Sequence, residues 1–282
     1  MKKTIKISGK LLCLENPLIM GIMNLTPDSF HKDSRFNPSD EDFLEKACRM
    51  YENGAQILDL GGYSSRPGAE NVSPEEETER VLEAIEVLTK KLPEAIISID
   101  TFRKSVAEKA ISKGAALVND ISGGTLDSEM HPWIIENNIP YILMHMRGNP
   151  KDMQNQTDYK NYPNDVYTEI LEKANYLKKE GVTDLILDLG FGFAKTIEQN
   201  YQLLKVLELT KLFDYPILTG ISRKSMIYKA LDISAAESLP ATTQLHLFSL
   251  LKNTQILRVH DALEASQTVK LLSYLENDTH KP

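Results

Sequence analysis

Cysteine is scarce in this chain. Its 282 residues include two, Cys13 and Cys48, one in an expected hairpin and one in an expected helix. That spacing suits neither a zinc cluster nor a disulfide framework, so both thiols are expected to be structural and the fold rests on its apolar core. Long apolar runs are missing as well. None approaches the roughly 20 residues that cross a bilayer, and Met1-Lys2-Lys3-Thr4-Ile5-Lys6 lacks the apolar centre of a signal peptide. A membrane partner is therefore not expected, and the cytoplasm is the expected compartment. Positive charge is not in excess: 32 Lys and Arg stand against 40 Asp and Glu, a formal net charge of -8. This argues against a nucleic-acid partner, because such surfaces replace counterions with clustered positive charge. Low-complexity tracts are absent, and a chain that is 41% hydrophobic and 26% charged has the composition of an ordinary folded protein. A single domain over residues 1–282 is expected, with residues 277–282 a frayed tail.

What the chain has instead is a repeated pattern. Eight short apolar runs each end on a polar or charged residue: Leu18 to Met23 at Asn24, Gln56 to Leu58 at Asp59, Ile96 to Ile99 at Asp100, Ala115 to Val118 at Asn119, Tyr141 to Met144 at His145, Leu185 to Leu187 at Asp188, Ile217 to Ile221 at Ser222, and Ile256 to Val259 at His260. Continuous apolar runs suit strands buried on both faces of a parallel sheet, and helical patterns lie between them. Eight βα units imply an α/β fold, a closed (β/α)8 TIM barrel, whose functional residues gather at the C-terminal strand ends. The segment from Thr4 to Leu14 reads as an N-terminal β-hairpin closing the bottom of that barrel. Helices are expected from Pro74 and over 41–53, 104–113, 165–180, 197–211, 237–251 and 261–276. Gly54, Gly114 and Gly181 end three helices just before a strand, and Ser73-Pro74-Glu75-Glu76 has the form of a helix start with a capping box.

Positive charge, though not abundant, is local. Arg49 and Arg80 fall inside expected helices, whereas Arg35, Arg66, Arg103, Arg147, Arg223 and Arg258 lie at or just beyond strand ends. Six such positions point to a rim that receives phosphate or carboxylate, which a guanidinium binds in bidentate fashion.

Five constellations follow strand runs: Met20 to Phe30, Asp59 to Gly68, Asp188 to Lys195, Gly220 to Ser225, and Arg258 to Asp261. Together with Ser98-Ile99-Asp100-Thr101, Asn119 to Gly123 and Met144 to Pro150, they resemble, in order and over nearly the whole chain, the dihydropteroate synthases, the folate-pathway transferases that sulfonamides target. That family folds as a (β/α)8 barrel, in agreement with the strand runs. The resemblance implies condensation of 6-hydroxymethyl-7,8-dihydropterin diphosphate with 4-aminobenzoate, giving 7,8-dihydropteroate and pyrophosphate by an SN1-like substitution. It also implies Mg2+ as cofactor, small molecules as substrates and a homodimer.

The same resemblance distributes the site. Asp188 would accept the pterin's amine and ring N–H donors, with Asp100 and Asn119 completing a polar floor and Lys224 donating to the pterin carbonyl and ring nitrogen. Arg258 would lie on the ring face beside Met144 and Phe193. Arg258 and His260 are two apart and share one side of a strand; with Asn24, Ser65 and Arg66 they would receive the diphosphate, and Asn24 would hold part of the Mg2+ shell. Ser222 would meet the aminobenzoate carboxylate, and Phe30, Pro67 and Phe191 would wall its ring. Lys224, Arg258 and Asn24 are the catalytic choices, acting by orientation and charge stabilisation.

Other residues read as structural. Asp59 is expected to satisfy loop amides, His145 to point away from the site, His246 to sit satisfied in an apolar helix stripe, and Asp120 and Asp261 to cap helices. The chain departs from the family pattern at Tyr63, where many members have Glu, and at Ser65, Leu189 and Ala194, where Thr, Pro and Gly are usual. Its first loop reads Phe30-His31-Lys32-Asp33-Ser34-Arg35 where members have an Asp-Gly-Gly turn, which leaves the role of Asp33 open. Two alternatives share a pterin floor: a methyltetrahydrofolate methyltransferase, which needs no pyrophosphate pocket, and a paralogue that binds pterin without catalysis.

Overall fold

A computed structural model describes residues 4–7, 9–25, 41–63 and 72–276. Strands β3 (Leu18–Asn24), β4 (Ile57–Gly61), β5 (Ile96–Asp100), β6 (Leu117–Asp120), β7 (Tyr141–Met144), β8 (Leu185–Asp188), β9 (Ile217–Thr219) and β10 (Ile256–Val259) close a barrel in which β10 pairs with β3. All these pairings are parallel. Strands β1 (Thr4–Ile7) and β2 (Lys10–Cys13) form the expected antiparallel hairpin. The helices are α1 (Glu41–Glu52), α2 (Pro74–Lys91), α3 (Lys104–Lys113), α4 (Met130–Asn137), α5 (Asn164–Lys179), α6 (Ile197–Lys205), α7 (Ser225–Tyr228), α8 (Leu239–Lys252) and α9 (Ala262–Glu276).

Successive strand residues point to opposite faces, so each barrel strand serves two cores. Outward residues such as Leu58, Leu60, Ile97, Leu187 and Leu257 join the layer between barrel and helices. Inward residues at the lower ends, Met20, Ile57, Ile96, Leu117, Ile142, Ile186, Leu218 and Ile256, pack with Ile5, Ile7 and Leu14 of the hairpin segment. Each such burial stabilises the fold by roughly 1.5–3 kcal/mol, and this shared core is why the hairpin sits at the barrel's bottom. Two residues further along most strands the inward position turns polar: Asp59 after Ile57, Ser98 after Ile96, Asn119 after Leu117, Asp188 after Ile186 and Arg258 after Ile256. Register carries this polar layer round the barrel, with Asn24 opposite Gly61, Gly61 opposite Asp100, and Asp100 opposite Asn119.

The helices depart from expectation in four places. The stretch 197–211 divides into α6 and a 3-10 turn over Leu207–Leu212. Helices α4 and α7 had no counterpart in the sequence reading. At the start of α2, Ser73 Oγ accepts from Glu76 N at 3.1 Å, but the Glu76 carboxylate pairs with Arg80 instead of completing the box. A full capping box occurs instead at Thr196 and Gln199 before α6.

Candidate active site

The polar layer forms a floor organised around one guanidinium. Arg258 donates from Nε to Asp59 Oδ2 and from an Nη to Asp100 Oδ2, both at 2.6 Å. Asn119 Nδ2 donates to the same Asp59 oxygen at 2.9 Å. Asp59 is fully buried and so belongs to this floor, not to the loop amides it was expected to satisfy. Its position two residues after the inward Ile57 was the signal for that placement. Asp59 Oδ1 and Ser98 Oγ, both buried, have no hydrogen-bond partner among the described residues. Gly61 and Gly220 occupy inward positions of the same layer; a Cβ at Gly61 would stand 3.7 Å from Asp100 Oδ2, and one at Gly220 3.8 Å from Asp188 Oδ2. Without side chains there, the floor stays open above its carboxylates.

Electrostatics follow from burial. Asp100 is pushed up to about 7 by desolvation, which outweighs the pull of Arg258, while Asp59 pushes the same way. Burial also raises Asp188, against Lys224 and the Gly190 amide that donates to its Oδ1 at 2.8 Å. Lys224 is drawn down to about 8, chiefly by burial, although Asp188 resists. For Arg258 burial is outweighed by Asp59 and Asp100, and the guanidinium is held above its ordinary value.

Lys224 donates to the Phe191 carbonyl and stands 4.3 Å from the centroid of the Phe193 ring. Met144 packs with Ile121, Met146, Met153 and Ala194, and Phe193 lies against that cluster. Phe191 is a correction. Its side chain, 1% exposed, belongs to the layer between barrel and helices, and only its carbonyl faces the floor, because alternate residues of this turn point inward and outward.

His260, expected to help receive the diphosphate, brings no positive charge to it. Burial, then Arg258, lowers it to about 4, so the ring is neutral at physiological pH. Ser222 Oγ accepts from the His260 backbone N–H and lies 3.1 Å from its Nδ1, an arrangement that suits the tautomer with the proton on Nε2. Ser222 itself is 3% exposed.

Of the six rim arginines, the described ones are likewise not free for an anion. Arg103 pairs with Glu77 at 2.5 Å, Arg147 pairs with Glu169, and Arg223 makes two bonds to Asp261 at 2.7 and 2.8 Å. These guanidiniums hold loops together because a carboxylate from another element stands beside each. Arg35, Arg66, Ser65, Phe30, Pro67 and Asp33 lie outside the described residues.

Among the residues expected to be structural, His145 points outward as expected, with Nε2 3.0 Å from Glu169. His246 is buried as expected, but neither ring nitrogen has a partner among the described residues. Asp120 caps a turn, not a helix, accepting from the amides of Ser122 and Gly124. Asp261 stands before α9 with its carboxylate committed to Arg223. Ala194, where glycine is usual in the family, has φ 48°, a left-handed conformation that favours glycine.

Closed parallel barrel, inward carboxylates at the C-terminal strand ends and a buried lysine beside them define a (β/α)8 barrel with a polar site at the end where such barrels carry their chemistry. The family of pterin binding enzymes matches residues 20–260. Dihydropteroate synthase of Clostridium beijerinckii is 42% identical over 260 residues, which cover 91% of this chain and 93% of that relative. The solved Xanthomonas albilineans dihydropteroate synthase with 4-aminobenzoic acid superposes with a TM-score of 0.89 at 30% identity, covering all of both chains. The Yersinia pestis dihydropteroate synthase with a sulfonamide drug complex also gives 0.89, at 32% identity, covering 96% of this chain and 98% of that one. The chain belongs to the dihydropteroate synthase family of pterin binding enzymes.

Proposed function

We propose that this protein is a transferase of folate biosynthesis, joining 6-hydroxymethyl-7,8-dihydropterin diphosphate to 4-aminobenzoate. The observation that carries the reading is the inward layer of Asp59, Asp100, Asn119, Asp188 and Arg258 at the strand ends with Lys224 beside it, in a chain of this family. In the reaction the C–O bond from the pterin methylene to the diphosphate breaks, and its electron pair leaves with pyrophosphate. The aminobenzoate nitrogen then forms the new C–N bond and gives its proton to solvent.

Asp188 and Asn119 meet the pterin edge, Lys224 its carbonyl side, and Met144 and Phe193 its face. Arg258, already balanced by two carboxylates, stabilises charge at the reacting end without being a free anion trap. Neutral His260 offers Nε2–H to the diphosphate. Ser222 would reach the aminobenzoate carboxylate by turning its hydroxyl from His260. Among the described residues no group of three or more His, Cys, Asp or Glu could hold a metal. Asn24 offers one neutral oxygen, which suits Mg2+, an ion that keeps waters and takes substrate phosphates as its remaining ligands. When bound, Mg2+ would spread the charge of the departing pyrophosphate.

Purified protein supplied with Mg2+, the pterin diphosphate and labelled 4-aminobenzoate should release labelled dihydropteroate. Tight pterin binding with no product would instead identify a binding paralogue. No helix among the described residues is long and apolar enough to cross a membrane; the cytoplasm, read from the sequence, is the compartment we propose. Phe248 and Leu251 on α8 and Leu263, Leu271, Tyr274 and Leu275 on α9 are exposed, an apolar surface that supports a homodimer through these helices. Sedimentation should give a dimer, and Leu251→Glu combined with Leu271→Glu a monomer. A monomeric wild type would remove the dimer from this reading.

A further inference from the structure

Lys195 is buried beside the floor and has no part in the reaction as described. It is 3% exposed, and its Nζ lies 3.0 Å from Gly190 O, 3.1 Å from Phe193 O and 3.2 Å from His145 Nδ1. An ammonium has three N–H donors, so these acceptors use all of them. His145 can then present its one remaining proton from Nε2 to Glu169 at 3.0 Å, and Glu169 is paired in turn by Arg147. Donors and acceptors match along this whole line only while Lys195 is charged and His145 neutral. The second condition is met, because burial and then Lys195 lower the imidazole to about 4. Glu169 and Arg147 also line a cavity of about 450 Å³ with Thr125 and Lys173, outside the barrel.

The turn from Gly190 to Ala194 needs such a tie. Gly190, Gly192 and Ala194 alternate in left-handed backbone, at φ 68°, 83° and 48°, and for alanine that conformation costs about 1 kcal/mol. A Cβ at Gly190 would stand 2.0 Å from His145 O, so the turn presses against the end of β7. Its atoms make the contacts that aim the floor: the Gly190 amide to Asp188, the Phe191 carbonyl to Lys224, and the Phe193 ring beside Lys224. We propose that Lys195 is a positioning residue of the pterin site, its ammonium gathering the Gly190 and Phe193 carbonyls so that Asp188 and Lys224 keep their aim, with His145 and Glu169 as its support. This rests on the functional reading above.

The charge on Lys195 is finely balanced. Burial brings it down to about 7, resisted by Asp188 on β8 and Glu169 on α5 and aided by Lys224 after β9 and Arg147 after β7; Lys173 on α5 faces the intervening His145. Loss of its proton leaves two donors for three acceptors, and the turn loosens as pH rises.

Titration of the full-length protein with 6-hydroxymethylpterin, by calorimetry between about pH 6 and 9, tests this. Wild-type affinity should fall on the alkaline side in a step belonging to Lys195, below a further step from Lys224. Lys195→Met should bind about tenfold more weakly at the acid end and lack the lower step. Glu169→Gln touches no floor residue, yet removing its charge should move the lower step down by about half a pH unit while acid-end affinity stays within about twofold. A lysine that only filled space would leave that step unmoved. If Lys195→Met does not fold, Glu169→Gln decides alone. An unmoved step in Glu169→Gln, or wild-type affinity in Lys195→Met, overturns the inference by itself. A wild type that binds no pterin overturns the functional reading and this inference with it.

Discussion

Arg258→Met should lose about 3 kcal/mol of stability and a thousandfold or more in kcat/KM, equivalent to ~4 kcal/mol of transition-state stabilisation. The stability loss comes from what the guanidinium leaves behind. Asp59 and Asp100 each accept from it at 2.6 Å, and without it two carboxylates face one another in a desolvated layer with one amide, that of Asn119, to share. Methionine keeps the volume and the strand, so the lost charge, not a cavity, is tested. The effect should depend on pH. In the folded protein Asp100 is raised to about 7 from an ordinary value of 3.8. Between those values the native state binds a proton that the unfolded chain has released, so stability falls as pH rises through that window. Removing Arg258, which opposes the rise, moves the folded value higher still and extends the fall above pH 7. Urea unfolding should therefore show a larger difference from wild type near pH 8 than near pH 5.5. Equal losses at both would mean that Asp100 does not depend on this cation.

The barrel was legible because its signal is redundant. Eight apolar runs, each with a polar end, and three glycine-terminated helices all require the same repeat, and the register then lifts those ends to one level. Helix α4 was not legible: its sequence, MHPWIIEN, is 8 residues long, carries a proline in its first turn and has too little polar contrast for a 3.6-residue period. Placement of individual site residues depended on parity. Counting in twos from the apolar position that packs on the hairpin puts Asp59, Ser98, Asn119, Asp188 and Arg258 inside and His145 outside. The fate of the arginines was out of reach, since whether Arg103, Arg147 and Arg223 meet a ligand or a carboxylate depends on Glu77, Glu169 and Asp261, which tertiary structure brings to them from other elements. Lys195 closes the run from Asp188 to Lys195, but only the left-handed turn, which aims two carbonyls at one point, gives it a task.

Lys224→Met should separate activity from stability, with a thousandfold fall in kcat/KM, ~4 kcal/mol, and unfolding free energy within about 1 kcal/mol of wild type at neutral pH. Wild-type Lys224 is lowered by burial to about 8 from 10.5. Between those values the unfolded chain binds the proton that the native state lacks, so wild-type stability rises with pH there, and below about 8 the full cost of burying the ammonium is present. Methionine removes that cost, which offsets the lost bond to the Phe191 carbonyl and the lost attraction to Asp188. Activity has no such compensation. Asp188, already raised by burial, loses the cation that most opposes the rise, and a protonated carboxyl cannot accept both donors of a pterin edge. Pterin affinity in the variant should be weak throughout, keep the lower alkaline decline that belongs to Lys195 and lack the further decline of wild type, which belongs to Lys224. Loss of that further decline, measured by calorimetry with the same pterin, would place Lys224 on the ligand; its persistence, or activity within about tenfold of wild type, would take the pterin away from this lysine.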